Sequence, residues 1–164
     1  MSPKRLAYMP LMTYPYTPPN SSVEAAIRIA GALASEIHLT TFAVKIPRGS
    51  TPIGGLLLNI PEMIRGTEEN SRNRCRELQS LVQESVSNDL KVQCKTRDTE
   101  PGSVGDLAAS EARYFDLSVL PWSKEAVSVS DFSQTVVFGS GRPSILVPPV
   151  FQSKLTLPPR SNPD

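Results

Sequence analysis

The chain is poor in the residues that carry most catalytic and metal chemistry. It has one histidine, His38, and two cysteines, Cys75 and Cys94. Two cysteines make no disulfide framework for 164 residues; they read as small thiols in a reducing compartment. His38 stands at no standard zinc-ligand spacing from either, so no metal site is expected. A lone histidine opening a strand, away from any ligand crevice, leaves no Ser-His-Asp arrangement. Asp98, Glu100, Asp106, Glu111 and Asp131 show no paired or metal-ligand spacing, and no catalytic residue set is visible. An excess of one charge is lacking too: 17 Lys+Arg stand against 16 Asp+Glu, a net of +1. That argues against a broad nucleic-acid-binding surface. No apolar run approaches the roughly eighteen residues of a membrane span. The apolar run after Lys4 and Arg5 is broken by Pro10, short of what a signal peptide needs. Glycine, at nine, is below average, so this is no Gly/Pro low-complexity chain. The expectation is a soluble cytoplasmic protein with no nucleic-acid or membrane partner.

What the chain has in excess is proline. Sixteen residues are about twice average usage. They fall mostly between periodic segments, and with 39% hydrophobic residues the chain has enough apolar side chains for a core. Arg5 to Thr13 reads as a buried strand. After a loop with Pro15, Pro18 and Pro19, Ser21 and Glu24 have the spacing of a capping box. The helix that follows places Val23, Ala26, Ile27, Ala30 and Leu33 on one face. Ile37 to Val44 is continuously apolar and β-branched, which suits a parallel strand covered on both faces. Lys45 to Pro61 is a long connection, of the kind that is functional or packed as a lid.

Glu62 to Ser87 is the longest helical stretch, with a stripe of Ile64, Ser71, Cys75, Leu78, Val82 and Val86 and a charged remainder that reads as a solvated face. Glu68 and Arg72 have i,i+4 spacing. Leu90 to Thr96 is a third strand. Ser103 is placed to cap a helix reaching about Tyr114. Leu117 to Leu120 is a fourth strand closed by Pro121. Asp131 to Phe138 is a short helix, and Ser144 to Val147 a fifth strand. Residues 1–150 thus form one α/β domain, a doubly wound five-stranded parallel sheet with helices on both faces. The Pro-rich segment 151–164 reads as a tail or linker stub.

The first strand, ending Pro10-Leu11-Met12, resembles the P-x-D that closes the first strand in the universal stress protein family. The run from Phe138 to Pro148, F-G-S-G-R-P-x-x-L-x-P, resembles that family's last helix, turn and last strand, in a subgroup common in bacteria and often found as tandem copies. The resemblance spans Arg5 to Pro149. It implies an adenine-nucleotide α-hydrolase-like (Rossmann-like) fold with sheet order 3-2-1-4-5, and a homodimer through the last strand, Ser144–Val150. It also accounts for Pro10, because the family tolerates a proline at this point near the strand's end.

In such sheets ligands bind beyond the carboxyl ends of the strands, where the strand order reverses. That places Thr13, Tyr14, Val44, Pro121 and Trp122 as candidate ligand contacts, with Ser130 and Ser133 at the start of the last helix. The serines suit capping as well as contact with an anion. Tyr14 and Trp122 suit stacking on a planar ligand as well as a packed lid. The family's ATP binders carry an acid at the end of strand one and a glycine-rich phosphate loop after strand four. This chain has Met12 at the first place, and at the second LPWSKEAVSVSD, Leu120 to Asp131, which holds no glycine. Gly139-Ser140-Gly141 follows a helix instead of a strand, so it reads as a helix cap and not a phosphate loop. The resemblance therefore implies a non-catalytic stress-response or regulatory module with no cofactor of the usual kind and a degenerate site for a small ligand or nucleotide. The alternative is a protein that binds ATP or AMP, or hydrolyses a nucleotide, on the same fold. A third reading is a structural half of a larger tandem assembly.

Overall fold

Leu6–Met12, apolar throughout, form the central strand β1, and six of its seven residues are buried. The computed structural model describes residues 5–49, 59–87, 89–123 and 126–149. Among these residues α1 (Asn20–Leu33), β2 (Glu36–Val44), α2 (Ile60–Ser85), β3 (Lys91–Thr99), α3 (Val104–Ala112), β4 (Leu117–Pro121), α4 (Val127–Ser140) and β5 (Ser144–Val147) follow in strict alternation. The strands make one parallel sheet in the order β3-β2-β1-β4-β5, as expected. Most of the long Lys45 to Pro61 connection (50–58) and the whole Pro-rich segment 151–164 lie outside the described residues.

Alternation of side chains along each strand divides the core in two. Ala7, Met9, Leu11, Ile37 and Leu39 meet Val23, Ala26, Ile27 and Ala30 of α1 and Leu78 and Val82 of α2. On the other face Tyr8, Met12, Phe42 and Leu120 meet Ala108 and Ala112 of α3 and Phe132 and Val136 of α4. Because both faces of β1 and β2 are covered, apolar residues fall on both faces of each strand instead of alternating with exposed polar ones. β1 pairs with β4 only at Ala7↔Leu117 and Tyr8↔Ser118. The ladder therefore stops short of Pro10, which has no N–H to donate.

Several local expectations shift. α1 begins at Asn20 with Pro19 in the N-cap position, and no side chain caps it. Ser21 consequently sits inside the first turn, and the capping box with Glu24 does not form. Ser103 does precede α3, but its backbone is already helical, so its hydroxyl does not cap. α2 starts at Ile60 and takes Pro61 into its first turn, where the missing N–H costs no helix bond. Arg72 pairs with Asp98 at 2.8 Å, and Glu68 accepts the Ile46 N–H, also at 2.8 Å, so these two do not pair with each other. β3 runs on to Thr99. α4 starts four residues before Asp131 and continues through Gly139.

The left-handed cap of α4 is Gly141, at φ +64°, while Gly139 serves a different need. A Cβ there would lie 3.0 Å from the Cβ of Ala109 on α3. Arg113 also donates two bonds to the Gly139 carbonyl, at 2.9 and 3.2 Å. Gly139→Val should overpack this contact and cost about 2 kcal/mol, lowering the melting temperature by about 4–8 °C. Ligand affinity at the far end of α4 should be unchanged. Thermal melts and a binding titration on the same variant check both halves.

Candidate functional site

The carboxyl ends of β1, β2 and β3 open into a cavity of about 270 Å³ on the α3/α4 side of the sheet. Met12, Phe42 and Val44 floor it from the strands. Phe132 of α4 closes it from above, and Tyr14 and Pro15 flank it. The β3–α3 loop supplies Thr99 to Gly102, and Gly102 turns the chain at φ +88°, a region that favours glycine. Gly105 brings α3 close to α4, since a Cβ there would lie 3.0 Å from the Thr135 side chain. The starts of both helices face the cavity: Val104, Gly105 and Asp106 of α3, and Ser128 and Asp131 of α4.

Three carboxylates line this space, Glu100, Asp106 and Asp131, and all three residues are exposed. Among the described residues none of these carboxylates has an ion-pair partner. No Lys, Arg or His belongs to the described lining.

α2 holds the exits of β1 and β2 from the opposite face of the sheet. Thr13 donates to the Phe42 carbonyl at 2.7 Å and lies 2.6 Å from Ser71 Oγ, which accepts the Val44 N–H at 2.8 Å. With Thr13's proton committed to the carbonyl, the Ser71 hydroxyl donates to Thr13. Arg74 donates to Thr17 Oγ1 at 2.9 Å, to the Pro18 carbonyl at 3.0 Å and to Asn20 Oδ1 at 2.7 Å, fixing the loop that carries Tyr14 and Pro15.

Tyr14 and Val44 of the sequence-derived candidates therefore line the cavity, whereas Thr13 faces α2. Pro121 borders the gap between β1 and β4, the place where strand order reverses. Pro18, Val129 and Phe132 fill that gap to about 10 Å³. The open space thus lies toward β2 and β3 instead. Trp122 is half-buried against the α3/α4-side core. Ser130 Oγ accepts from Gln134 at 3.1 Å. Ser133 is buried, with no hydrogen-bond partner for its hydroxyl among the described residues.

Sequence reasoning missed Phe42, Phe132, Asp106 and Asp131 as lining residues. Phe42 was within reach, because it lies two residues before Val44 and so on the same face of β2. His38 sits in the amino-terminal half of β2, 2.9 Å from Glu36, away from the cavity as expected. Both thiols are free, and burial pushes each above its ordinary pKa, which disfavours the reactive thiolate. Among the described residues no group of three or more metal-ligating side chains occurs, and no helix is long and apolar enough to cross a membrane.

No family model and no curated protein matches the chain. Solved structures do. The universal stress protein UspA from Lactobacillus plantarum superposes with a TM-score of 0.56 at 14% identity, covering 89% of this chain and 99% of that one. A hypothetical protein of solved structure gives 0.55 at 16% identity, covering 92% and 99%. A universal stress protein in complex with cAMP gives 0.49 at 14% identity, covering 86% and 96%. The chain has the fold of the universal stress proteins.

Proposed function

We propose that this chain is a non-catalytic module of the universal stress protein kind, serving a stress response or its regulation, with the cavity at the ends of β1, β2 and β3 as its small-ligand receptor. The observation that carries this reading is the cavity itself: an apolar floor with a polar rim, at the carboxyl edge of a doubly wound sheet. Among the described residues its lining holds no nucleophile paired with a base, which supports binding rather than turnover. Tyr14 and Val44 are ligand contacts in this reading. Thr13 and Pro121 shape the walls behind them, and Trp122, Ser130 and Ser133 support the start of α4.

The nucleotide of the family's ATP binders fits these residues poorly. Met12 replaces the acid of strand one, β4 leaves through Pro121 and Trp122 instead of glycines, and no described basic side chain lines the space. In the same reading the protein is a cytoplasmic homodimer through β5, which pairs only with β4 among the described strands and so keeps a free edge.

Native mass spectrometry tests both parts. The expected spectrum is a dimer carrying no ATP or AMP, unchanged when either is added with or without Mg²⁺. Stoichiometric nucleotide would overturn the reading in favour of an ATP or AMP binder. Phosphate release that disappears in Trp122→Ala would instead identify a hydrolase. A strict monomer at high concentration would remove the β5 contact.

A further inference from the structure

The charges around the cavity decide what kind of ligand it accepts. The amino-terminal ends of α3 and α4 both face it, and together they are worth about +1. Helix ends so placed commonly hold phosphate. Here Glu100, Asp106 and Asp131 oppose them with three negative charges, leaving the described lining negative by about two charges. Asp106 lies within the first turn of α3 and so directly offsets that helix's positive end. A phosphate would meet this field with its own charge unneutralised and no described guanidinium or ammonium to receive it. An anion is therefore disfavoured and a cation favoured.

The apolar lining adds a shape to the sign. Phe42 and Phe132 bound the cavity from the sheet and from α4, with Met12 between the strand ends. Aromatic faces attract cations, and most strongly where water is excluded. The volume, about 270 Å³, falls just below the usual range of roughly 300–1,000 Å³ for ligand sites. That suits one fused ring system better than a nucleoside with a phosphate chain.

Resting on the reading of this cavity as the ligand site, we infer that it selects a planar cation, an amidinium or a protonated amino-heterocycle, over any phosphate- or carboxylate-bearing ligand.

The test is a charge series of nearly one shape: 2-naphthamidine (cation), 2-naphthamide (neutral) and 2-naphthoate (anion). Each is titrated into the full chain while the amide resonances of Gly102, Gly105 and Thr135 are followed by NMR. The expected result is that the amidine binds about tenfold tighter than the naphthoate or more, with the amide between. Added salt should weaken the amidine selectively. The Asp106→Asn, Asp131→Asn double variant should bring the three within about threefold of one another. Glu100→Gln, in the loop before α3, gives a partial loss of preference without altering a helix, should the double variant fold poorly. Equal affinities, a tightest-binding naphthoate, or a preference that survives these substitutions would overturn the inference while leaving the ligand-site reading intact. No movement of the cavity amides with any of the three would overturn both.

Discussion

Replacing Glu111 by alanine is expected to lower the melting temperature by about 6–12 °C, from a loss of about 3 kcal/mol. Glu111 lies on α3, yet its carboxylate is the meeting point of three strands. Tyr8 of β1 donates to Oε2 at 2.8 Å, and Thr40 of β2 donates to the same oxygen at 3.0 Å. Lys95 and Arg97 of β3 pair with Oε1, the lysine at 3.0 Å. Tyr8 and Thr40 are both fully buried, so truncation leaves two hydroxyls without their acceptor, each worth about 1–3 kcal/mol at most. The exposed ends of Lys95 and Arg97 regain water and add little. A fall of under 2 °C would mean that Tyr8 and Thr40 satisfy each other once the carboxylate is gone.

The same residue sets a pH dependence. Burial alone would raise its pKa, but hydrogen bonds from Arg97, Tyr8 and Lys95 outweigh burial and hold the carboxyl below its ordinary value. A folded pKa below the unfolded one, about 4.3, means that this contribution is complete above the unfolded value. It is then lost as pH falls through the folded one. The stability gap between wild type and Glu111→Gln should therefore be full at neutral pH and close under acid, as read by denaturant midpoints at several pH values. Tyr8 shifts the other way: burial first, then its bond to Glu111, pushes the phenol well above its ordinary value, so it remains a neutral donor throughout.

The second large effect is expected at Leu78. α2 is 26 residues long, yet the residues it buries are Ser71, Cys75, Leu78 and Val82. This stripe is narrow, and half of it is small or polar, so the apolar docking of the helix rests mainly on Leu78 and Val82. Leu78 is fully buried against the β1 and β2 side chains. Leu78→Ala should cost about 3–4 kcal/mol and lower the melting temperature by about 6–15 °C. Hydrogen exchange should rise along α2 while α3 and α4 stay protected. A loss below 1 kcal/mol would show that α2 slides to fill the space. Equal exchange in all helices would show that the two halves of the core do not respond separately.

These two residues also mark what was legible in the sequence. The strands were readable because burial on both faces leaves unbroken runs such as Ile37 to Val44. The stripe on α2 was readable because four-three spacing survives even in a charged helix. Glu111 was not, because a carboxylate in a short helix looks like any solvated one until α3 is laid across the sheet. The start of α4 was missed because Val127-Ser128-Val129 alternates and carries no cap, so nothing local distinguishes it from extended chain. The cavity shared this difficulty. Asp131 is far from Glu100 and Asp106 in sequence and lines the same cavity only once α3 and α4 lie side by side. The point of strand reversal itself is narrow for a steric reason: Pro18, Val129 and Phe132 fill the place where β1 and β4 part, while Tyr14 and Val44 line the open cavity beside it.

The contact between α3 and α4 has a last consequence. Gly105 faces Thr135 and Ala109 faces Gly139, so the pairs recur after four residues, one turn, on both helices. At each pair one partner is glycine, and a single short side chain, Thr135 or Ala109, stands between the two backbones. The spacing of these helices is therefore set by a glycine backbone against one short side chain, closer than two facing side chains would allow. Asp106, in the first turn of α3, follows Gly105, and Asp131, in the second turn of α4, lies one turn before Thr135. Gly105, which lines the cavity, accordingly sets its width at that point with a hydrogen where another residue would carry a carbon.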